Sequence, residues 1–208
     1  CIIWFSGCTM RCPYCHNPHI VKGKGRGDIT DVMTFLKKRQ GLLDGVVLSG
    51  GEATSYPDIV NLMRTIKSLG FAIKLDTNGL RPDRVRMALD AGLIDFIALD
   101  YKAPPAKFER VTGSHKWAAF RATLDLLCTQ THIPCEIRTT VHTDLLDEAD
   151  IQWIMDDLTA RKFSGVYAIQ NFRAPDGRDT LGHIAPPTRS LCVSDFDTKS
   201  LNIEYRNF

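Results

Sequence analysis

Residues 46–52 read Val-Val-Leu-Ser-Gly-Gly-Glu, three apolar residues followed at once by a polar, glycine-rich segment. An apolar run this short is typical of a strand that is buried on both faces of a parallel sheet. Five similar runs occur along the chain, and longer segments with helical spacing separate them, which is the pattern of βαβ units. The predicted strands are Ile2–Phe5 and residues 46–48, 71–75, 96–99, 136–141 and 166–169.

Five helices are predicted between these strands. Asp28, Ser114 and Asp147 are residue types that commonly cap a helix N-terminus. Pro57 and Pro82 suit the first turn of a helix, where the missing N–H costs nothing. The predicted helices run over residues 28–40, 57–69, 82 onward, 114–129 and 147–162.

The number of units fits an incomplete barrel. A complete eight-fold barrel needs about 250 residues, so a chain of 208 residues supplies six to seven units. We therefore expect an α/β fold, an incomplete (β/α)6 TIM-like barrel of parallel strands with outer helices. A doubly wound open sheet is the competing architecture, and strand counting does not separate the two.

The length also predicts a single domain over residues 1–208, with the barrel over about 1–173 and a tail over 174–208. The tail is rich in proline, glycine and aspartate, which predicts a loop before a short C-terminal element. The chain enters its first apolar run at Cys1 without an initiator Met. We therefore expect that the native N-terminus is missing.

The charge of the chain is nearly balanced. Twenty-six Lys and Arg stand against 24 Asp and Glu, a formal net charge of +2. Such a balance gives no electrostatic footprint for nucleic acid or an anionic membrane surface. No apolar run reaches the roughly 18 residues that a membrane span needs, so we expect neither partner.

Three of the seven cysteines, Cys8, Cys12 and Cys15, fall within eight residues after the first predicted strand. This crowding indicates metal binding in a reducing compartment, so we expect a cytoplasmic location. Soft thiolates select zinc, copper(I) or iron–sulfur clusters. The number of ligands distinguishes among these groups.

A structural zinc needs four ligands, and the fourth could come from His16, His19 or Cys1. An iron–sulfur cluster usually takes four cysteines as well. Three cysteines with no fourth in a paired motif indicate a cluster with one iron open to a substrate. The loop alone therefore does not distinguish a structural zinc site from an iron–sulfur cluster.

The pattern of residues 5–18, Phe-x-Gly-Cys-x3-Cys-Pro-Tyr-Cys-His-Asn-Pro, resembles the radical S-adenosylmethionine (SAM) superfamily. Within it, the pattern resembles the glycyl-radical-enzyme activating enzymes, most of all the activating proteins of anaerobic ribonucleoside-triphosphate reductase. The resemblance implies that Cys8, Cys12 and Cys15 hold a [4Fe–4S] cluster. It also implies that SAM chelates the fourth iron and that Tyr14 helps to seat the adenine.

Further polar motifs follow the predicted strands, where a parallel barrel places its site. The Gly-Gly-Glu of residues 50–52 and the Asp-Thr-Asn-Gly of residues 76–79 would each be an ordinary turn in isolation. The resemblance implies that both bind SAM, although Ala53 stands where the family has proline. Lys102 could bind a carboxylate or form a surface ion pair with Asp100. The implied SAM-binding residues are Tyr14, Gly50, Gly51, Glu52, Asp76, Thr77, Asn78, Lys102, Arg138 and Asn171.

The resemblance implies an enzyme. A reduced cluster would pass one electron to SAM and break its C5′–S bond, giving methionine and a 5′-deoxyadenosyl radical. That radical would install a glycyl radical on a partner, with anaerobic ribonucleoside-triphosphate reductase favoured. Flavodoxin or ferredoxin is the implied electron donor. The open side of an incomplete barrel would admit a loop of the partner.

Three alternatives remain. The chain could activate another glycyl radical enzyme of the pyruvate formate-lyase type, or act on a small molecule, as the deazaguanine synthases do. From a different class, it could be a zinc-stabilised binding module without turnover. One zinc per chain would support the module, and about four irons would support the enzymes.

The remaining cysteines, the remaining histidines and one basic, glycine-rich segment are not predicted to take part in catalysis or metal binding. Residues 22–27, Lys-Gly-Lys-Gly-Arg-Gly, lack the order of a phosphate loop, so we predict a solvated loop that could also dock a partner. We predict that the remaining cysteines and histidines are not ligands. These are Cys128, Cys135, Cys192, His115, His132, His142 and His183.

Overall fold

The computed structural model describes residues 1–174, 179–194, 196–198 and 201–208. Seven parallel strands form one sheet in which each strand pairs with the next along the chain. The strands are β1 Ile2–Phe5, β2 Gly45–Gly50, β3 Ala72–Thr77, β4 Phe96–Asp100, β5 Cys135–Val141, β6 Val166–Asn171 and β7 Asn202–Arg206.

The strand order follows the chain order from β1 to β7 without a reversal. A doubly wound sheet reverses its order at a switch point, so the barrel-like winding is the one present. Within the described residues β1 and β7 do not pair, and the sheet is open. The predicted class of incomplete α/β barrel is confirmed.

In the part of the chain that the structure describes, seven helices connect the strands, and a 3-10 turn, Ala53–Ser55, follows β2. The helices are α1 Pro18–Lys22, α2 Ile29–Lys37, α3 Ile59–Ser68, α4 Pro82–Asp90, α5 Pro105–Thr112, α6 Trp117–Thr129 and α7 Glu148–Ala160. The sequence analysis did not predict α1 and α5. The other five correspond to predicted helices.

Two predicted caps are present. The Asp28 side chain accepts a hydrogen bond from the Thr30 N–H at 2.8 Å, and Asp147 forms a capping box with Asp150 at the start of α7. In a capping box each side chain accepts a hydrogen bond from the other residue's backbone N–H, and so satisfies a donor that the helix leaves unpaired.

The prediction of Ser114 as a helix cap was wrong. Helix α6 begins at Trp117, and its N-cap is Lys116. The Ser114 hydroxyl instead accepts a hydrogen bond from the Lys116 N–H at 3.2 Å. Serine readily satisfies a backbone donor two residues later, so it forms a turn before the helix rather than its cap. Similarly, α3 begins two residues after Pro57.

The short C-terminal element is a strand. Asn202–Arg206 pairs parallel to β6 and adds a seventh strand to the six predicted ones. Its residues are mostly polar and do not form an apolar run, so the pattern of apolar runs does not predict this strand. The predicted loop at residues 175–178 lies outside the described residues.

Successive strand residues point to opposite faces of the sheet. Leu48, Leu75 and Leu99 are fully buried in the hydrophobic core. On the opposite face, the Ser49 hydroxyl donates to Asp76 of the next strand at 2.9 Å. The inside of the open barrel therefore carries polar groups. Among the described residues, no helix is long and apolar enough to cross a membrane.

Candidate functional site

A cavity of about 240 Å3 lies where the carboxyl ends of β2, β3, β4 and β5 meet the loop after β1. We call it the cysteine cavity, because Cys8, Cys12 and Cys15 all line it. It brings together eight of the thirteen predicted site residues. They are Cys8, Cys12, Tyr14, Cys15, Gly50, Gly51, Asn78 and Lys102.

Residues 6–17 form the loop that carries the three thiols, and we call them the cysteine loop. The backbone holds it at two points. The Gly7 N–H donates to the Ile20 carbonyl at 2.9 Å, and the Arg11 N–H donates to the Thr112 carbonyl at 2.6 Å. The second bond fastens the loop to the last residue of α5, the helix that follows β4 in the chain.

The C-terminal tail holds the same loop from another direction. The Leu181 N–H donates to the Cys15 carbonyl at 2.9 Å, and the Gly182 N–H donates to the Pro13 carbonyl at 2.8 Å. Both bonds join residues that are far apart in the chain. The tail is therefore part of the wall that positions the thiols.

Burial controls the chemistry of these thiols. Desolvation raises the pKa of Cys12 to about 11 and also raises the pKa of Cys8, while the nearby Lys102 charge acts in the opposite direction. Both groups are therefore thiols at neutral pH until a cation stabilises the thiolates. A bound metal centre supplies such stabilisation.

The three thiols that line the cysteine cavity are suitable ligands for an iron–sulfur cluster. A [4Fe–4S] cluster takes its thiolates on different irons, so Cys8, Cys12 and Cys15 can line one cavity without meeting at one point.

Lys102 brings a positive charge to the cysteine cavity. Its Nζ lies 3.2 Å from Asp100 Oδ2 and 5.9 Å from the centre of the Tyr14 ring. Burial, the largest single effect, would lower the pKa of Lys102, but Asp100, Tyr14 and Cys12 together outweigh it and raise the pKa. The Tyr14 hydroxyl is buried and has no hydrogen-bond partner within the described structure. The cavity therefore offers a fixed cation and an unused hydroxyl.

Arg138 and Asp76 lie outside the cysteine cavity. Arg138 Nε donates to Asp100 Oδ1 at 2.9 Å, and its Nη1 lies 3.6 Å from Asp76. Burial would raise the pKa of Asp100, but Arg138 and Lys102 together lower it. The buried arginine has the partner that such a group needs. Its observed contacts support Asp100, and a direct contact with SAM remains a prediction.

Gly50 and Gly51 are required by the packing of the protein itself. A Cβ on Gly51 would lie 1.9 Å from the Gly7 carbonyl oxygen, and a Cβ on Gly50 would lie 2.5 Å from the Phe5 nitrogen. Gly50 also has φ of +116°, which favours glycine. The two glycines allow the end of β2 to lie directly against the cysteine loop.

Glu52 is buried and bound by its neighbours. Its Oε1 accepts from the Thr54 and Thr77 hydroxyls at 2.6 and 2.8 Å, and its Oε2 accepts from the Asn78 N–H at 2.6 Å. Burial raises the pKa of Glu52, while these hydrogen bonds lower it. Glu52 and Thr77 join the β2 and β3 loops outside the cysteine cavity, and their contacts with SAM remain predictions.

Asn78 reaches the cysteine loop directly. Its Nδ2 donates to the Thr9 hydroxyl at 3.0 Å and lies 3.7 Å from Cys8 Sγ. Its Oδ1 accepts from the Leu80 N–H at 3.1 Å, which is the predicted type of turn. The same residue thus shapes a turn and faces the thiols.

Asn171 lines a second cavity of about 620 Å3 rather than the cysteine cavity. Its Oδ1 is buried without a hydrogen-bond partner in the described structure. His16 and Thr140 line both cavities, so the two adjoin. Sequence reasoning assigned no role to Thr140. Its position two residues after Arg138 in β5, on the same face of the strand, is the signal that could have identified it.

Comparison with known proteins agrees with this geometry. The family model of the radical SAM superfamily matches residues 2–157. A protein of Methanocaldococcus jannaschii named glycyl-radical enzyme activating enzyme is 33% identical over 188 residues, which cover 86% of this chain and 75% of that protein. The pyruvate formate-lyase-activating enzyme of Streptococcus mutans is 31% identical over 126 residues, 54% of this chain and 48% of its own.

Among solved structures, Streptococcus suis SuiB bound to S-adenosylmethionine superposes with a TM-score of 0.67 at 16% identity. The match covers 89% of this chain and 42% of SuiB, and it shows the fold alone. The family match extends over most of the chain and includes the cysteine loop and the loops after β2, β3, β4 and β5. This chain therefore belongs to the radical SAM superfamily, whose enzymes use a [4Fe–4S] cluster and S-adenosylmethionine.

Proposed function

We propose that this chain is a glycyl-radical-enzyme activating enzyme and that Cys8, Cys12 and Cys15 hold its [4Fe–4S] cluster. One observation carries the proposal: the three thiols line a single cavity whose other walls include Lys102 and Asn78. The remaining cysteines of the chain lie outside this cavity. Three thiolates leave one iron for SAM.

When bound, the cluster and SAM would supply one-electron chemistry that removes a hydrogen atom from a glycine of the partner. The chain binds and orients these groups. The Lys102 ammonium suits an anionic group such as a carboxylate, the Asn78 amide offers hydrogen bonds, and the Tyr14 hydroxyl is available. Burial of the walls excludes water from the reacting groups.

The other SAM contacts that we propose come from the remaining predicted residues. Gly50 and Gly51 present bare backbone to the cavity, and Asn171 offers a buried carbonyl oxygen in the adjoining one. Four predicted residues line neither cavity and would support the residues that do. They are Glu52, Asp76, Thr77 and Arg138. No proton transfer by a side chain is required, so we nominate no general acid or base.

The partner that we propose is anaerobic ribonucleoside-triphosphate reductase. The Arg-Thr-Thr-Val of residues 138–141 and the Gln-Asn-Phe-Arg of residues 170–173 resemble the activating proteins of that reductase and favour it. The similarity to a pyruvate formate-lyase-activating enzyme supports a pyruvate formate-lyase-type partner as the second candidate. Flavodoxin or ferredoxin would supply the electron, in the cytoplasm, and one domain over residues 1–208 would carry the activity.

The reconstituted protein tests the proposal directly. It would be incubated without oxygen with SAM, a strong reductant and each candidate glycyl radical enzyme. We expect 5′-deoxyadenosine from SAM and the electron paramagnetic resonance signal of a glycyl radical on one candidate. SAM cleavage without a protein radical on any candidate would contradict the activating function. A colourless protein with one zinc would support the binding module instead.

The ligand set has its own test. We expect Cys12→Ala to lose the brown colour, most of its iron and all SAM cleavage, because the cluster loses one of three protein ligands. Cys135→Ala is the matched control, since Cys135 is buried in β5 outside the cavity. It should retain about four irons per chain and the activity. Iron content and 5′-deoxyadenosine yield measure both, and retained cleavage by Cys12→Ala would refute the ligand set.

A further inference from the structure

The net charge of the protein is concentrated at one end of the chain. Residues 1–40 contain seven Lys and Arg and two Asp, a balance of +5. Residues 41–208 contain 19 Lys and Arg against 22 Asp and Glu, a balance of −3. The segment that carries the cysteine loop is therefore basic, although the chain as a whole is nearly neutral.

The basic loop, which we define as residues 22–27, carries Lys22, Lys24 and Arg26 on the surface. Over the ranges that the structure describes, none of these three side chains has a carboxylate within ion-pair distance. Some other lysines do form ion pairs, as Lys67 does with Asp95 at 2.9 Å. Within these ranges, the three cations are therefore not neutralised by a carboxylate.

Acidic residues begin only after the basic loop. Asp28 caps helix α2 by accepting from the Thr30 N–H, and Asp31 lies in the first turn of that helix. A carboxylate at a helix N-terminus is favoured by the helix dipole, so a local role explains both. They do not pair with the cations of the basic loop.

The basic loop lies against the start of the cysteine loop. A Cβ on Gly25 would lie 3.8 Å from the Ser6 hydroxyl. Arg26 lines a cavity of about 1380 Å3 together with Cys8 and Thr9. Cys8 also lines the cysteine cavity, so the cysteine loop forms a wall between the two cavities. Arg26 therefore lies on the other side of that wall, in a cavity that Asp28 and Asp31 also line, and Lys22 and Lys24 belong to the same short loop.

The proposed reaction needs two macromolecules, and they need different faces. A glycine that gives up a hydrogen atom must enter near the cavity that Lys102 and Asn78 line. An electron can instead cross the cysteine loop from outside, provided that its donor comes close to the thiols. The basic loop stands on this second face, and its charge would attract a donor whose own surface is acidic.

We propose that Lys22, Lys24 and Arg26 dock an acidic one-electron carrier protein in its reduced state. The inference rests on the proposed function. In the docked complex the carrier loses one electron and the cluster gains it, and the basic loop transfers neither an electron nor a proton. Its contribution is association, which should be fast at low salt and should weaken as salt screens the charges.

The test uses the reconstituted holoprotein and two reductants. A reduced acidic flavodoxin is the protein probe, and light-reduced 5-deazariboflavin, which is small and uncharged, needs no docking site. Cluster reduction is followed by the loss of visible absorbance in the absence of SAM. The variant is Lys22→Glu with Lys24→Glu and Arg26→Glu. The matched control places the same change on three exposed arginines of the outer helices, Arg64→Glu, Arg86→Glu and Arg121→Glu.

We expect the triple variant to slow cluster reduction by flavodoxin roughly tenfold or more at low salt. High salt should remove most of the difference, and calorimetry should show weaker flavodoxin binding by the variant. The control variant should remain close to the original protein, and reduction by 5-deazariboflavin should be equal in all three.

Equal rates of reduction by flavodoxin in the three proteins would overturn the docking proposal. Normal reduction by flavodoxin, with glycyl radical formation lost under 5-deazariboflavin, would show instead that the loop binds the radical-accepting enzyme, and would also overturn it. Failure of the proposed function looks different. In that case neither the original protein nor its variants form a glycyl radical on any candidate enzyme, even with the small reductant.

Discussion

At the scale of single residues, the environment of Cys135 differs from that of the thiols in the cysteine cavity. Burial raises the pKa of Cys135 to about 12, and the charges that act on it raise the pKa further. Cys12 is buried and Cys8 is half-buried, but the Lys102 charge opposes the effect of burial on both. A cation beside a thiol is the arrangement expected where a thiolate has to form.

This difference predicts selective alkylation of the metal-free protein. At pH 8 we expect iodoacetamide to modify exposed Cys1 rapidly and Cys135 very slowly. A pKa raised from 9 to about 12 lowers the thiolate fraction roughly a thousandfold, and burial also restricts access. The difference should narrow as pH rises toward 12. Mass spectrometry of timed samples measures it, and equal labelling at pH 8 would contradict the assignment.

Eight of the thirteen predicted site residues line the cysteine cavity, because they belong to motifs with fixed spacing. Sequence reasoning could not separate Lys102, which faces the cavity, from Arg138, which supports Asp100 behind it. Both are cations near a strand end. Which charge pairs with which carboxylate depends on strand register, and the sequence does not specify register.

At the scale of elements, the structure depends on the contact between the end of β2 and the cysteine loop. The Gly51 N–H donates to the Phe5 carbonyl and the Glu52 N–H donates to the Gly7 carbonyl, at 2.8 and 2.9 Å. These bonds continue the pairing of β1 with β2 beyond the strand ends. The thiols are thus positioned by an extension of the sheet.

We expect Gly51→Ala to disrupt this contact. The added methyl group would lie 1.9 Å from the Gly7 carbonyl oxygen, which is backbone and cannot turn away. Overpacking of this kind costs about 1–3 kcal/mol in the free energy of unfolding. Urea denaturation of the metal-free protein measures the cost, and iron content after reconstitution should fall.

Gly27→Ala is the matched control for that variant. A Cβ at Gly27 meets no atom within 4 Å, so its stability and iron content should remain unchanged. Equal stability of the Gly51→Ala and Gly27→Ala proteins would show that the β2 end can move away from the cysteine loop without loss.

The elements themselves were largely predictable. Polar caps and apolar runs located five helices and six strands, with ends that differ by a few residues. Helix α5 was missed, although Pro105 near its start and Gly113 after its end are the residue types that mark helix boundaries. Helix α1 has only five residues, too few for a periodic pattern.

At the scale of the whole molecule, β7 joins the C-terminal tail to the interior of the sheet. Arg206 donates to both carboxylate oxygens of Glu136, at 3.2 and 2.7 Å. Glu136 also lies 3.8 Å from Arg138, which in turn binds Asp100. A chain of charges therefore runs from the last strand to the carboxylate beside Lys102. It begins beyond the region that the family model matches.

We expect Arg206→Gln to destabilise the protein by about 1–3 kcal/mol, because the mostly buried Glu136 carboxylate loses its bidentate partner. The exposed Arg64→Gln is the control and should change the free energy of unfolding by less than about 0.5 kcal/mol. Urea denaturation of the metal-free proteins compares them. Equal changes in the free energy of unfolding for Arg206→Gln and Arg64→Gln would show that the Arg206 side chain does not help to hold β7.

The overall architecture followed from the alternation of strands and helices and from the length of the chain. The seventh strand could not be predicted in this way, because Asn202–Arg206 contains no apolar run. It is held by pairing with β6, by the ion pair between Arg206 and Glu136, and by Ile203, which packs against the core. Such long-range support is invisible in a local pattern.

The bonds from Leu181 and Gly182 to the cysteine loop also determine when that loop can be completed. Cys15 is translated early, whereas Leu181, which binds its carbonyl, is translated 166 residues later. A nascent chain therefore exposes its thiols long before their wall exists. Contacts of such separation form late and slowly in folding. Delivery of iron and sulfide should accordingly follow release of the finished chain, and a ribosome-bound intermediate would present the thiols without their enclosure.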